Sequence, residues 1–183
     1  MNTPDIFQTC TDAAVAAGLE FLLIGGHAVN ARGYERTTLD IDFLIATRDL
    51  QAWSGILEQA DYRLVTENIK AFAQFEPREG EGFRVDLMLV DDGTFAKLLA
   101  GSEWRDYGRR RVRVAGVLHL IALKLHALRS EHRQTPGKDY LDILNLIRLN
   151  RVDIRSGEFE EIMNRYGTES LRVRIRRDVE EPL

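Results

Sequence analysis

Two aspartates separated by one residue lie in a segment, residues 39–45, in which apolar and acidic side chains alternate. Side chains along a β-strand point alternately to opposite faces, so Asp40 and Asp42 share one face and apolar residues occupy the other. Two neighbouring carboxylates repel each other unless a cation lies between them. The pattern therefore predicts a metal site on a rigid strand. The alternative, from this segment alone, is a half-buried strand with a solvated acidic face.

A third carboxylate lies in a similar strand farther along the chain. Residues 83–90 also alternate, with apolar side chains on one face and Asp86 on the other. If the two strands are neighbours in one sheet, Asp86 falls on the same face as Asp40 and Asp42. Three such acids could hold two divalent cations, and their hard oxygen ligands suit Mg²⁺ or Mn²⁺.

A glycine pair precedes the first acidic strand. Residues 19–24 read as a buried strand, Gly25 and Gly26 follow at once, and residues 27–32 form a plausible short helix. Glycine lets the backbone approach a ligand closely, and N–H groups at a helix start can point at a phosphate. The spacing is that of neither a Walker loop nor a Rossmann motif. A phosphate-binding turn and an ordinary turn are the two interpretations.

The elements around these segments predict an α/β (α+β) fold, with a mixed twisted sheet flanked by helices and followed by a C-terminal helical part. Periodicity places helices over residues 48–60, 94–100, 117–130 and 138–149, with Asp92 as the cap of the second. Residues 70–76 and 83–90 suggest an antiparallel hairpin, and residues 109–114 an edge strand. We expect residues 1–115 to form the core with the predicted metal site, and residues 116–183 a helical region packing on it.

Charge is unevenly distributed along the 183 residues. The net charge of −4 combines −8 in the first 100 residues with +4 in the remainder. This asymmetry suggests a metal-binding part beside an anion-binding part, with ordinary surface charge as the alternative. Arginines at positions 172, 174, 176 and 177 mark one predicted helix, read either as a solvated face or as an RNA-contacting face.

Cysteine content and hydropathy restrict the class of protein. Cys10 is the single cysteine, which excludes an intrachain disulfide and a cysteine-rich zinc site, and its position predicts a packed side chain. No run of 18 apolar residues occurs, and the N-terminal residues lack a basic start followed by an apolar core. We therefore expect a cytoplasmic protein without a membrane span.

The combined motifs resemble a known superfamily. Gly25-Gly26, then Asp40-x-Asp42, then Asp86 on a later strand, are similar to the polymerase-β-like nucleotidyltransferases. Many members of that superfamily carry Gly-Ser where this chain has Gly25-Gly26, and Gly-Gly is also common at that place.

The second half of the chain sharpens this resemblance. Residues 123–129 (LKLHALR) and 138–143 (KDYLDI) look like the small stand-alone proteins related to AbiE-type nucleotidyltransferase toxins. The resemblance extends from about residue 19 to about residue 147.

The resemblance implies an enzyme that transfers a nucleoside monophosphate from an NTP to a hydroxyl group. Gly25 and Gly26 would cradle the triphosphate, and Asp40 and Asp42 would hold Mg²⁺ (or Mn²⁺). Asp86 would ligate one metal and assist deprotonation of the acceptor hydroxyl.

Further residues of the nucleotide site follow from the same resemblance. Lys124 would contact the triphosphate as a point charge, although a lysine can also extend along an apolar surface to solvent. His27 could touch a phosphate or base, with a packed or exposed histidine as the alternative. Arg36 could reach a phosphate.

Two acids of the following helix have a less defined role. Asp139 or Asp142 would orient the site, and the alternative is a salt bridge with Lys138 or Arg129.

The acceptor and the partners remain open at this point. The acceptor could be an RNA 3′ end (tRNA or another RNA), a protein side chain or a small molecule. The protein could be a toxin–antitoxin or phage-defence component with a cognate toxin or antitoxin partner. A second hypothesis is a non-catalytic binding module or antitoxin-like protein that keeps the fold. A metal-dependent nuclease or phosphatase would share the acids but does not account for the glycine pair.

Overall fold

The structure of the chain is a computed structural model. It describes residues 3–68, 71–108, 110–129 and 136–181.

Residue contacts divide the described chain into two compact units. The first contains the residues up to Ala31 together with Arg36–Ala115, and the second contains Arg32–Glu35 together with the residues from Gly116 onward. That residues 1–115 and 116–183 are separate domains stays a prediction.

Seven strands form one mixed sheet in the described part of the first unit. They are β1 (Leu22–Leu23), β2 (Asp40–Ala46), β3 (Tyr62–Asn68), β4 (Phe72–Pro77), β5 (Arg84–Val90), β6 (Glu103–Tyr107) and β7 (Arg110–Val114). Their order across the sheet is β3-β4-β5-β2-β1-β7-β6. The two acidic strands β2 and β5 are parallel neighbours near the centre, whereas β3, β4 and β5 form an antiparallel meander and β6 and β7 a hairpin.

Helices flank this sheet and form the second unit. The first unit contains α1 (Thr3–Ala16), α2 (Gly25–Ala31), α3 (Leu50–Gln59) and α4 (Asp92–Ala100). The second contains α5 (Val117–Leu128), α6 (Pro136–Leu149), α7 (Gly157–Tyr166) and α8 (Glu169–Glu180). None of the described helices has the length and hydropathy needed to cross a membrane.

An aromatic cluster covers the apolar face of β2. Phe43 is fully buried, and its ring centroid lies 5.9 Å from Phe7 of α1, 5.4 Å from Phe21 and 5.1 Å from Trp53 of α3. Such ring pairs contribute about 0.5–1.5 kcal/mol each beyond the area they bury. Because side chains alternate along a strand, this packing directs the two acids of β2 to the opposite face.

Apolar packing also forms the core of the second unit. Leu120, Ile121 and Leu125 of α5 and Ile143 and Ile147 of α6 are buried. The other two helices of this unit begin with hydroxyl caps. The Ser156 side chain accepts from the Phe159 amide at the start of α7, and the Thr168 side chain accepts from the Leu171 amide at the start of α8. Each cap satisfies one backbone donor that the first helical turn leaves unpaired.

Cys10 packs inside the first unit as the sequence predicts. Its side chain is fully buried, and burial raises the pKa of the thiol to about 12. The sulfur is therefore a protonated, unreactive core group at physiological pH.

Strand lengths and edges differ from the sequence-based predictions. The strand predicted over residues 19–24 is shorter in the structure, where β1 is Leu22–Leu23 and pairs with β2 and β7. The prediction that residues 109–114 form an edge strand is wrong, since β6 lies outside β7. The predicted antiparallel pairing of residues 70–76 with residues 83–90 is confirmed.

The cap of α4 is one residue earlier than the sequence suggested. Asp91 has an extended backbone, and its Oδ1 accepts from the Thr94 amide at 2.9 Å. Asp92 is already the first helical residue, so its prediction as the cap is wrong. Two adjacent aspartates offer the same side chain, and only the backbone geometry decides which of them caps the helix.

Candidate active site

The three acids predicted to cluster lie together on one face of the sheet. Strands β2 and β5 run parallel with Asp42 opposite Asp86, and carboxylate oxygens of Asp40, Asp42 and Asp86 lie within 4.8 Å of one another. All three side chains are partly accessible. The prediction that Asp86 shares a face with the first two acids is confirmed. Three hard oxygen donors at this separation fit a divalent cation such as Mg²⁺ or Mn²⁺.

Two neighbours that sequence reasoning missed contact Asp86. Arg84 Nε lies 3.1 Å from Asp86 Oδ1, and Gln74 Nε2 of β4 donates to the two carboxylate oxygens at 3.4 and 3.3 Å. Burial raises the pKa of Asp86, while Arg84 and Gln74 oppose that rise. Arg84 has the same strand parity as Asp86, which was available from the sequence. Gln74 follows only from the register of β4 against β5.

Asp40 has its own local partners. The Thr38 hydroxyl donates to Asp40 Oδ1 at 3.1 Å, and Arg84 NH2 lies 3.7 Å from Asp40 Oδ2. Arg84 stands opposite Asp40 in the parallel ladder, so a single guanidinium lies against two of the three carboxylates.

The glycine pair lies directly against the acidic face. Gly25 begins α2 with φ +62°, and a Cβ built there would overlap the Asp42 carboxylate. A Cβ on Gly26 would overlap the Thr38 side chain and lie 3.1 Å from Arg36 NH1. Glycine at these positions therefore lets the start of α2 approach the acids more closely than any other residue would.

His27 is a packed residue of α2. It is 6% exposed, and its Nδ1 is hydrogen-bonded to the Tyr107 hydroxyl, which the Asn30 side chain also contacts. Its Nε2 is buried and has no hydrogen-bond partner among the described residues. Burial lowers the pKa of His27 to about 4; a smaller effect of the Asp40 charge raises it, and a smaller effect of the Arg36 charge lowers it further. The ring is thus neutral at physiological pH, and its contact with a phosphate or base stays a prediction.

Arg36 is held by its backbone near the glycine turn. The Asn30 side chain accepts from the Arg36 amide at 3.1 Å and donates to the Arg36 carbonyl at 2.9 Å. The guanidinium donates to the Thr37 carbonyl at 3.1 Å. These contacts fix the loop between α2 and β2, and the role of Arg36 in phosphate binding stays a prediction.

Lys124 of the second unit is an ion-pair partner of two buried acids. Its Nζ lies 2.8 Å from Asp139 Oδ1 and 2.8 Å from Asp142 Oδ2, and the side chains are 12%, 3% and 0% exposed. Lys124 therefore does not extend to solvent. The sequence suggested Lys138 or Arg129 as partners of these acids, and the structure brings Lys124 to both of them. An ammonium group has three donors, of which these pairs use two.

The arginines of α8 contact side chains of the second unit. Arg172 and Arg176 pair with Glu160, Arg177 pairs with Asp178, and Arg174 lies 4.0 Å from the centroid of the Tyr140 ring. These contacts connect α8 to α7 and α6 and balance part of its positive charge. The RNA-contacting interpretation of this helix stays a prediction.

A comparison with known protein families provides a match over most of the chain. Residues 11–183 match the family described as nucleotidyl transferase AbiEii toxin, type IV toxin–antitoxin system. The chain belongs to the AbiEii nucleotidyltransferase family. A comparison with curated proteins finds no match.

Solved structures show that the AbiEii-family chain has a nucleotidyltransferase fold. ANT(2″)-Ia, solved with adenylyl-2″-tobramycin, has a TM-score of 0.67 at 19% identity, covering 94% of this chain and 95% of that one. Lincosamide antibiotic adenylyltransferase LnuA, solved with lincomycin, has a TM-score of 0.61 at 17% identity and 81% and 98% coverage. A putative nucleotidyltransferase from Thermotoga maritima has a TM-score of 0.53 at 16% identity and 75% and 94% coverage.

Family and fold together confirm the expected superfamily, fold class and type of enzyme. The chain is a nucleotidyltransferase of α/β class, with a mixed seven-stranded sheet and flanking helices.

Gly25→Ala tests the close approach of α2 to the acids. The new methyl group combines a strained positive φ with overlap of the Asp42 carboxylate, so we expect the free energy of unfolding to fall by about 2–3 kcal/mol. Gly18→Ala is the matched control, because Gly18 has φ +69° but open space around its Cβ position. Urea denaturation followed by circular dichroism measures the free energy of unfolding of both variants. Equal losses in the two variants would show that the overlap with Asp42 has no effect.

Lys124→Met tests the buried ion-pair cluster of the second unit. Removing the ammonium leaves two buried carboxylates without their shared cation, and we expect a loss of about 3–5 kcal/mol in the free energy of unfolding. Lys124→Met combined with Asp142→Asn should recover part of that loss, because one of the two buried negative charges disappears. If Lys124→Met alone were as stable as the wild type, this account would be contradicted.

The buried neutral His27 predicts a pH dependence of stability. Its pKa is lower in the folded chain than in the unfolded chain, so the stabilisation is present above about pH 6.5 and is lost as pH falls towards about 4. Within that window, titration of His27 changes the free energy of unfolding by up to about 1.4 kcal/mol per pH unit. The free energy of unfolding, measured by denaturant titration from pH 7 to pH 4, should fall less steeply with decreasing pH for His27→Gln than for the wild type. Identical slopes would refute the prediction.

Proposed function

We propose that this nucleotidyltransferase uses Mg²⁺ (or Mn²⁺), with Asp40, Asp42 and Asp86 as metal ligands and catalytic residues. The observation that carries the proposal is the convergence of three carboxylates within 4.8 Å on one sheet face. The donor set fits the metal, because carboxylate oxygens are the ligands that Mg²⁺ and Mn²⁺ prefer. Family membership supports an NTP as the substrate.

The reaction moves a nucleoside monophosphate onto an acceptor hydroxyl. The hydroxyl oxygen attacks the α-phosphorus, the bond from that phosphorus to the bridging oxygen breaks, and pyrophosphate leaves. When bound, the metal supplies positive charge to the phosphate oxygens.

Asp86 is the proposed base for the acceptor hydroxyl. Its carboxylate lies on the same sheet face as Asp40 and Asp42, within 4.8 Å of their carboxylate oxygens, which places it beside the proposed metal site. Gln74 contacts both of its oxygens and so fixes the orientation of the carboxylate. A base held in one orientation loses less entropy when it meets the hydroxyl.

Nucleotide binding is assigned to five residues. Gly25 and Gly26 would present backbone N–H groups to the triphosphate, and His27 and Arg36 would contact it from the same segment. Lys124 would contact the triphosphate as a point charge, as the resemblance implies. The crowding of Gly25 against Asp42 supports the first assignment, since it places backbone amides beside the acids.

An RNA 3′ end, tRNA included, is the first acceptor to test. The hairpin of β6 and β7 carries Trp104, which is 52% exposed, with the Arg113 guanidinium 5.2 Å from its ring centroid. An exposed aromatic ring beside arginine suits a base stacked next to a phosphate. Proteins and small molecules are the other acceptors, and the ANT(2″)-Ia and LnuA structures were solved with adenylyl-2″-tobramycin and lincomycin, respectively. The family description supports a toxin with a cognate antitoxin. A cytoplasmic location is part of the same proposal.

Asp42→Asn tests the metal-dependent transfer. Purified protein with Mg²⁺ and each of four α-labelled NTPs is incubated with total tRNA, total protein and a panel of hydroxylated small molecules. We expect labelling of one acceptor class by the wild type and a loss of at least about 100-fold in the variant, because a direct metal ligand matters more than its outer neighbours.

Asp61→Asn provides the matched control for that experiment. It makes the same chemical change at an exposed residue with φ +65°, a conformation that asparagine tolerates. Full activity of Asp42→Asn, or no labelling by a folded wild type with any NTP, would overturn the proposed function. A biological effect that survives Asp42→Asn would favour the non-catalytic binding module.

A further inference from the structure

Arg84 is a cation that contacts two carboxylates of the acidic cluster. It lies on β5 two residues before Asp86 and opposite Asp40 of β2. Its Nε is 3.1 Å from Asp86 Oδ1, and its NH2 is 3.7 Å from Asp40 Oδ2. The side chain is 48% exposed, so the guanidinium lies at the solvent side of the cluster.

A divalent cation and this guanidinium need the same carboxylates. Asp40 and Asp86 can give their full charge to a metal only if Arg84 moves away or shares them. Two cations side by side also repel each other. Gln74, the other neighbour of Asp86, is neutral and does not oppose a metal in this way.

Arg84 can leave the cluster without disturbing the core. Half of its side chain is exposed, and movement of the guanidinium therefore exposes little apolar surface. A guanidinium has five N–H donors in a planar arrangement that matches a phosphate group. An NTP bound at the acidic face brings phosphates that attract both the metal and the released guanidinium.

We propose that Arg84 is a built-in competitor of the divalent cation, which keeps metal affinity low until a nucleotide binds and takes over the guanidinium. This inference rests on the proposed function, since it concerns the same metal site. Its consequence is positive coupling between metal and nucleotide. By linkage, each ligand raises the affinity for the other by the same factor.

Mn²⁺ binding followed by electron paramagnetic resonance tests the proposal without measuring activity. Free Mn²⁺ is titrated with wild-type protein and with Arg84→Gln, at fixed ionic strength, with and without an α,β-methylene NTP that cannot be cleaved. Without nucleotide we expect Arg84→Gln to bind Mn²⁺ about three- to fivefold more tightly than the wild type. With nucleotide this advantage should disappear, and the variant should bind the NTP analogue more weakly.

Two control variants separate the local effect from the change in net charge. Arg63→Gln removes the same charge from β3, where the guanidinium pairs with Glu76 at 2.5 Å, and should bind Mn²⁺ as the wild type does. Arg84→Lys keeps the charge and should restore weak Mn²⁺ binding. Circular dichroism and thermal unfolding verify that each variant is folded.

The possible outcomes distinguish this proposal from the proposed function. The same Mn²⁺ titration is carried out on Asp42→Asn. If Arg84→Gln binds Mn²⁺ as the wild type does or more weakly, while Asp42→Asn loses binding, the role of Arg84 is overturned and the metal site stands. Equal binding by the wild type and Asp42→Asn would overturn the metal site, and the competitor with it. An advantage of Arg84→Gln that persists unchanged with nucleotide would refute the coupling.

Discussion

The burial of one face of β2 is the constraint on which the acidic site depends. Phe43 and its aromatic neighbours fix which side of the strand faces the core, and the parallel register with β5 brings Asp86 opposite Asp42. Carboxylates within 4.8 Å of one another repel, so the cluster exists because apolar packing on the reverse face outweighs that repulsion. Hydrogen bonds from Thr38 and Gln74 and the charge of Arg84 reduce the repulsion that remains.

The second unit contains a related electrostatic arrangement. Asp139 and Asp142 are almost completely buried, and the Lys124 ammonium contacts both carboxylates. Buried charges persist only when they are paired and hydrogen-bonded, and the ammonium group meets that requirement for both carboxylates. In both units, carboxylates are thus brought close together, and one basic side chain contacts two of them.

Much of this arrangement follows from the sequence, because it depends on local periodicity. Alternation along residues 39–45 and 83–90 gives the faces of Asp40, Asp42 and Asp86, and the glycine pair marks the start of α2. Gln74 could not be found this way, since its contact with Asp86 depends on the register between two strands. Strand β6 was missed because it lies at the sheet edge and its side chains are at least partly exposed, which leaves no apolar face for periodicity to detect. The partner of Lys124 depends on how α5 packs against α6, and a single sequence does not contain that information.

The order of the strands has a consequence for how such a chain can diversify. The strands that carry the acids lie near the middle of the sheet, whereas β3 with β4 and β6 with β7 form hairpins at its two margins. A one-residue insertion in β2 would turn its carboxylates into the aromatic core, so that strand tolerates almost no change in length. A hairpin at a margin can lengthen, shorten or change its side chains without altering the central register. Selection for a new acceptor can therefore act on the margins while the chemistry at the centre is inherited intact.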